Sequence, residues 1–228
     1  MSVYVLVHGG FMGGWVWRQV AQFLRTAGHE VFSPTLTGLG ERAHLANPEI
    51  NLDTHIQDVV GVIECEDLQK VILVGYSYGG MVITGVAERV PERLSRLVYL
   101  DAFVPHDGQS LCDVVGPESA RVLVDSANQN GDGWRIALVV NPPKWQPHPL
   151  QSNTQHLSVS NPAAAAIPRA YIHCTTRGAH PLASVWPALD RCAEGAKRNG
   201  WWYREITTDH GVVFSKPKEV AELLIELA

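Results

Sequence analysis

Short apolar runs and longer amphipathic stretches alternate along almost the whole chain. Runs at Val3–Val7, Glu30–Phe32, Lys70–Gly75, Leu94–Leu100, Ala170–Cys174 and Trp202–Ile206 read as strands. Between them, Trp15–Ala27, Leu52–Cys65, Gly79–Val90, Leu182–Ala196 and Pro217–Leu227 read as helices. Terminal signals agree with these bounds. Gly28 stands where a helix end favours a left-handed residue, and Asn51 or Asp53 can cap the second helix. Ser215 is placed to cap the last helix, with Pro217 in its first turn and Glu219 close by. Such alternation predicts an α/β protein: a mostly parallel sheet of about six strands with helices on both faces. Sites in these sheets gather beyond the carboxyl ends of the strands.

One stretch breaks the alternation. Phe103–Ile167 contains no clear parallel strand, although Glu118–Gln129 has a helical pattern through Ala120, Leu123, Val124 and Ala127. Pro142, Pro143, Pro147, Pro149 and Pro162 rule out one long helix. About 60 residues is too long for a plain connection between two strands. The expected organisation is a core in two parts, 1–104 and 168–228, with residues 105–167 inserted as a cap over the site.

Candidate chemistry begins at Gly75-Tyr76-Ser77-Tyr78-Gly79. A serine in G-x-S-x-G between a buried strand and a helix is a nucleophile elbow, a strained turn that exposes the hydroxyl. The glycines allow strand and helix to approach without side-chain collision. A nucleophilic serine needs a base, and His210 lies directly after the last strand and before the last helix, where this arrangement puts it. Donors for an oxyanion are expected from the N–H of Tyr78 and from the loop His8-Gly9-Gly10-Phe11, through Gly10 or Phe11. His8 itself reads as a shaper of that loop.

The carboxylate that orients the base is harder to place. The loop after Ala170–Cys174, its usual source, reads Thr175-Thr176-Arg177-Gly178-Ala179-His180-Pro181-Leu182 and has no acid. Asp190 falls inside a predicted helix and reads as solvated, while Asp209 adjoins His210 too closely to grip its ring and suits a capping role. Asp101, at the carboxyl end of Leu94–Leu100, is the choice.

Composition narrows the function classes. The chain has 228 residues, 46% hydrophobic and 18% charged, which is one domain's worth of ordinary globular sequence. A net charge of −5 offers no basic footprint for nucleic acid or an anionic membrane. Cys65, Cys112, Cys174 and Cys192 are scattered, a pattern of reduced thiols rather than of disulfides or a metal site. With no basic leader before the first strand and no apolar run of roughly 18 residues, a soluble cytoplasmic protein is expected.

His8-Gly9-Gly10-Phe11-Met12-Gly13-Gly14-Trp15, Gly75-Tyr76-Ser77-Tyr78-Gly79-Gly80-Met81 and Asp209-His210 resemble the α/β-hydrolase superfamily. Within it the chain is similar to the compact plant methylesterases, hydroxynitrile lyases and their bacterial esterase relatives. The resemblance runs nearly end to end, strongest over 2–105 and 170–226, and is weak in the cap. It implies an α/β-hydrolase fold and hydrolysis without cofactor or metal. Two departures matter. The group's usual acid position is empty, which favours Asp101. The lyases carry a threonine after the first histidine and a lysine after the last, where this chain has Gly9 and Gly211, and without that lysine a leaving cyanide lacks its cation.

The expected protein is therefore a serine hydrolase that cleaves a small, partly apolar carboxylic ester through an acyl-enzyme on Ser77. Phe11, Tyr76 and Trp134 are expected to touch substrate, with Trp15 and Trp145 nearby. Lactone or carbon–carbon bond hydrolysis on the same residues, slow-turnover ligand binding, and homodimerisation are left open.

Overall fold

Along the first strand, β1 (Val3–Val7), Tyr4 and Leu6 point to one side of a sheet and Val5 and Val7 to the other, and all four are buried. A strand buried on both faces needs cover on both, and the alternating helices supply it. A computed structural model describes residues 1–138, 141 and 143–228; Pro142, one of the expected helix breakers, lies outside them. Five further strands complete the main sheet: β2 (Glu30–Phe32), β3 (Val71–Tyr76), β4 (Leu94–Leu100), β7 (Arg169–Cys174) and β8 (Trp202–Ile206). Their order is β2-β1-β3-β4-β7-β8, and every pairing is parallel. Two short strands, β5 (Arg135–Ile136) and β6 (His148–Pro149), form a separate antiparallel ribbon.

The sequence-derived bounds of β1, β2, β4 and β8 coincide with these, β3 is shifted by one residue at both ends, and β7 begins one residue earlier. The helices are α1 (Arg18–Thr26), α2 (Leu52–Cys65), α3 (Gly79–Arg89), α4 (Leu111–Val115), α5 (Pro117–Asn130), α6 (Gln151–Thr154), α7 (Pro162–Ala165), α8 (Trp186–Arg198), α9 (Val212–Ser215) and α10 (Pro217–Ile225). Asn51 caps α2 in a reciprocal box with Thr54. Ser215 does not cap α10: that position is Lys216, and the Ser215 hydroxyl pairs with Thr208 instead. The reason is local, because an extra turn, α9, takes up Ser215 before the chain restarts at Pro217.

Two apolar clusters hold the layers together. On one face Trp17, Val20 and Leu24 of the first helical segment meet Val220 and Leu224 over Leu6, Val74 and Ile172. Across the sheet, Ile56, Val59, Met81, Val82 and Leu189 cover Val5, Leu73, Leu97 and Tyr99. Each buried aliphatic side chain contributes roughly 1.5–3 kcal/mol through water exclusion. The register carries the consequence for function. Val7 pairs with Gly75 and Tyr76 with Leu100, so β1, β3 and β4 end within one residue of a common level, while β7 and β8 run two residues farther, to Cys174 and Ile206. Residues just past those ends must converge. No helix among the described residues is long and apolar enough to cross a membrane.

Close packing at the start of α3 leaves no room for side chains. A Cβ on Gly80 would lie 2.1 Å from the Phe103 carbonyl oxygen, which is backbone and cannot swing aside. Gly80→Ala should therefore destabilise the fold by about 1–3 kcal/mol, read as a lower urea midpoint. An unchanged midpoint would contradict this packing.

Candidate active site

Beyond the level ends of the central strands, the backbone is forced into unusual conformations. Phe11, Ser77 and Asp101 have φ of 66°, 55° and 42°, three of the six non-glycine residues with positive φ among those described. Such outliers persist where the surroundings over-determine them, and they cluster at functional sites. Ser77 is held by its own backbone: its N–H donates to the Leu100 carbonyl at 3.3 Å, and its carbonyl accepts from Gly80 and Phe103, both at 3.1 Å. Gly9 comes so close that a Cβ there would sit 3.0 Å from the Ser77 Cβ.

The structure brings Ser77, His210 and Asp101 into one line. Ser77 Oγ lies 3.0 Å from His210 Nε2, and His210 Nδ1 lies 2.6 Å from Asp101 Oδ2. The carboxylate fixes the tautomer, since it can only accept; Nδ1 carries the proton and Nε2 is left to accept from the serine. The Tyr76 hydroxyl donates to the His210 carbonyl at 2.5 Å, and the rings of Tyr76 and Trp186 lie 5.0 Å from the imidazole. His210 is thus walled as well as hydrogen-bonded.

Asp101 is fully buried, yet burial does not neutralise it. Desolvation raises its pKa, and the hydrogen bonds and charges of His210 and Arg177 outweigh that and hold it at about 2. Arg177 grips both oxygens, Nη1 to Oδ2 at 2.7 Å and Nη2 to Oδ1 at 3.1 Å, and the Cys174 N–H adds 3.3 Å to Oδ1. Arg177 comes from the very loop in which an acid was sought. Asp190, expected to be solvated, accepts from Arg177 Nη2 at 2.7 Å and from His173 at 3.0 Å. It reaches inward because its turn of α8 faces β7.

The glycine-rich loop divides the expected oxyanion donors. Phe11 N–H donates to His148 Nδ1 at 3.3 Å, so it is already engaged. Tyr78 and Gly10 N–H have no hydrogen-bond partner among the described residues. His8 donates from Nδ1 to the Gly9 carbonyl at 2.7 Å and accepts at Nε2 from Leu36 N–H at 3.0 Å, in keeping with a loop-shaping role. His148 Nε2 then donates to Ser152 Oγ at 2.8 Å, and Tyr78 hydroxyl pairs with His55 Nδ1 at 2.8 Å. His148 thus ties the 105–167 segment to the loop.

A cavity of about 250 Å³ opens beside Ser77. Phe11, Phe103, Trp145, Trp186 and Phe214 give it aromatic walls, and Leu111, Val115 and Leu123 line it from the 105–167 segment. Tyr76 and Phe11, two of the residues expected to touch substrate, border it. Trp134 does not: its ring lies under the Arg135 guanidinium, away from the cavity. Trp15 is also set back, packed edge-on against Trp145. Trp186 and Arg177 escaped the sequence reading, because a helix-start tryptophan and a loop arginine carry no motif.

An elbow serine, a bridging histidine and a buried acid above a parallel sheet define the architecture of an α/β-hydrolase. A family model described as "Alpha/beta hydrolase family" matches residues 4–223, and the chain belongs to that family. A carbendazim hydrolyzing esterase from Nocardioides sp. (strain SG-4G) is 60% identical over 111 residues, 49% of this chain and 46% of that protein. Putative methylesterase 11, chloroplastic, of Arabidopsis thaliana is 26% identical over 99% of this chain and 63% of its own length. The chain thus spans about half to under two thirds of the length of these curated relatives. Among solved structures, an extracellular alpha/beta-hydrolase from a Paenibacillus species superposes with a TM-score of 0.82 at 27% identity, covering 99% and 98% of the two chains.

The buried histidines carry a pH consequence. Burial lowers His8 and His55 to about 4 and pushes His148 well below its ordinary value. The unfolded chain takes up these protons near pH 6.5 and the folded one does not, so stability is full above that value and falls toward pH 4. Urea midpoints at pH 7.5 and 5 should differ by more than about 1 kcal/mol in unfolding free energy. Equal stability at the two values would show that the three sites are not buried neutral.

Proposed function

We propose that this chain is a serine hydrolase cleaving a small, partly apolar carboxylic ester through an acyl-enzyme on Ser77. The observation that carries the reading is His210 bridging Ser77 Oγ at 3.0 Å and buried Asp101 at 2.6 Å. His210 Nε2 takes the Ser77 proton as Oγ attacks the ester carbonyl, and Asp101 steadies the imidazolium. The tetrahedral oxyanion is received by the N–H groups of Tyr78 and Gly10, since Phe11 N–H is spent on His148. His210 returns the proton to the departing alcohol. Water then adds to the acyl-enzyme with His210 again as base, freeing the acid.

Residues 105–167 act as a cap in this reading, because Leu111, Val115, Leu123 and Trp145 close the cavity opposite the strand ends. Aromatic walls around about 250 Å³ suit a flat, apolar group on one side of the ester. The relative named as a carbendazim hydrolyzing esterase makes carbendazim a compound to include among test substrates. Four free thiols support a reducing, cytoplasmic setting.

A p-nitrophenyl ester series tests the proposal, together with stoichiometric labelling by a fluorophosphonate. Ser77→Ala should abolish labelling and cut kcat by at least about 10³-fold, and Asp101→Asn should cost about 10²–10⁴-fold. Turnover that survives Ser77→Ala would overturn the mechanism. Unimpaired Asp101→Asn would remove the aspartate from it.

A further inference from the structure

Four donors surround the Asp101 carboxylate, and two of them belong to one guanidinium. Arg177 places Nη1 on Oδ2 at 2.7 Å and Nη2 on Oδ1 at 3.1 Å, a fork that fixes the plane of the carboxylate as well as its charge. Oδ2 is thereby turned toward His210 Nδ1, 2.6 Å away. The same guanidinium continues outward, Nε and Nη2 both donating to Asp190 Oδ1, at 3.1 and 2.7 Å. Asp101 has no exposure and Arg177 little, while the Asp190 side chain is 43% exposed. A row of alternating charge therefore runs from the base to solvent.

We propose that Arg177 is a positioning residue that holds Asp101 in line with His210, and that Arg177 and Asp190 together set the pH range in which His210 can act as base. The proposal rests on the reading of Ser77, His210 and Asp101 as the reacting relay. A cation on the orienting acid has a cost for catalysis: it draws on the carboxylate charge that should favour the imidazolium. Asp190 offsets it. With His210 protonated, the row His210, Asp101, Arg177, Asp190 sums to zero; without Asp190 it carries one uncompensated positive charge. Removing Arg177 leaves two carboxylates facing the base. The two residues therefore pull His210 in opposite directions.

Other titratable groups stand around this row. Asp209 and His180 line the cavity with His210; Tyr76 packs against its ring; Cys174 and Tyr171 lie near Asp101; His173 links Asp190 to Tyr203. Each is unchanged in the variants below, so a difference between variants reports the altered charge.

The test is kcat/KM for p-nitrophenyl acetate against pH for the wild type, Arg177→Gln, Arg177→Lys and Asp190→Asn. The acidic limb should rise by about one pH unit in Arg177→Gln and fall by about half a unit in Asp190→Asn. Arg177→Lys should return the limb toward its wild-type position while kcat stays reduced, because lysine restores the charge but not the fork. A residue that merely braced the loop would lower kcat and leave the limb in place. Limbs that stay put in both neutral variants, or move the same way, overturn the proposal. Should Arg177→Gln fail to fold, Asp190→Asn alone decides: an unmoved limb is a refutation. Ser77-dependent wild-type turnover with unmoved limbs sinks only this inference, whereas turnover surviving Ser77→Ala sinks the relay itself.

Discussion

An ionised carboxylate at the buried end of a central strand is the constraint around which this site is arranged. Left alone, Asp101 would pick up a proton, because desolvation raises the pKa of any buried acid. It stays charged because donors arrive from three separate places: the end of β7 through Cys174, the following loop through Arg177, and the loop after β8 through His210. Losing one of these would leave a buried charge short of partners, which is more costly than never having made the pair. Parallel strands make the convergence feasible: β4 ends at the level of Ile172, and β7 and β8 run two residues farther, so their last residues and following loops flank Asp101.

Polar order extends to the other side of the serine by different means. There the groups are neutral. His8, His55 and His148 are buried, each with ring nitrogens assigned by one donor and one acceptor, and together they fix the glycine loop and the Tyr78 side chain. One side of Ser77 is thus charged and paired, the other uncharged and hydrogen-bonded. In the proposed mechanism the base that becomes an imidazolium lies on the first side. The carbonyl oxygen that would become negative lies on the second, where fixed N–H dipoles rather than mobile counter-charges would receive it.

Sheet and elbow were legible because their signals are local. Four of the six strands have the bounds the apolar runs gave, and Gly75, Gly79 and Gly80 announce a crossing too tight for a Cβ. His210 was legible by position, lying between the last strand and the helices that end the chain. Asp101 was reached by elimination, and its partners Arg177 and Cys174 were not reached at all. Arg177 stood in plain sight in the loop searched for an acid, but nothing in the string says that its guanidinium turns inward. Asp190 looked solvated on a helix; only the packing of α8 beside β7 gives it Arg177 and His173. Trp134 was the tryptophan expected at the substrate, but the fold puts Trp145 on the cavity and Trp134 beneath Arg135, a choice that no local signal makes.

The sequence alone determined the alternation, the parallel sheet and the strained turn at Ser77, because periodicity and glycine sterics act over a few residues. Tertiary structure decided which side chains complete the site. Asp101 and Arg177 are 76 residues apart, and Phe11 and His148 are 137 apart. Pairings over such distances depend on register and loop direction, and those are settled by burial of the two apolar clusters rather than by any run of neighbouring residues.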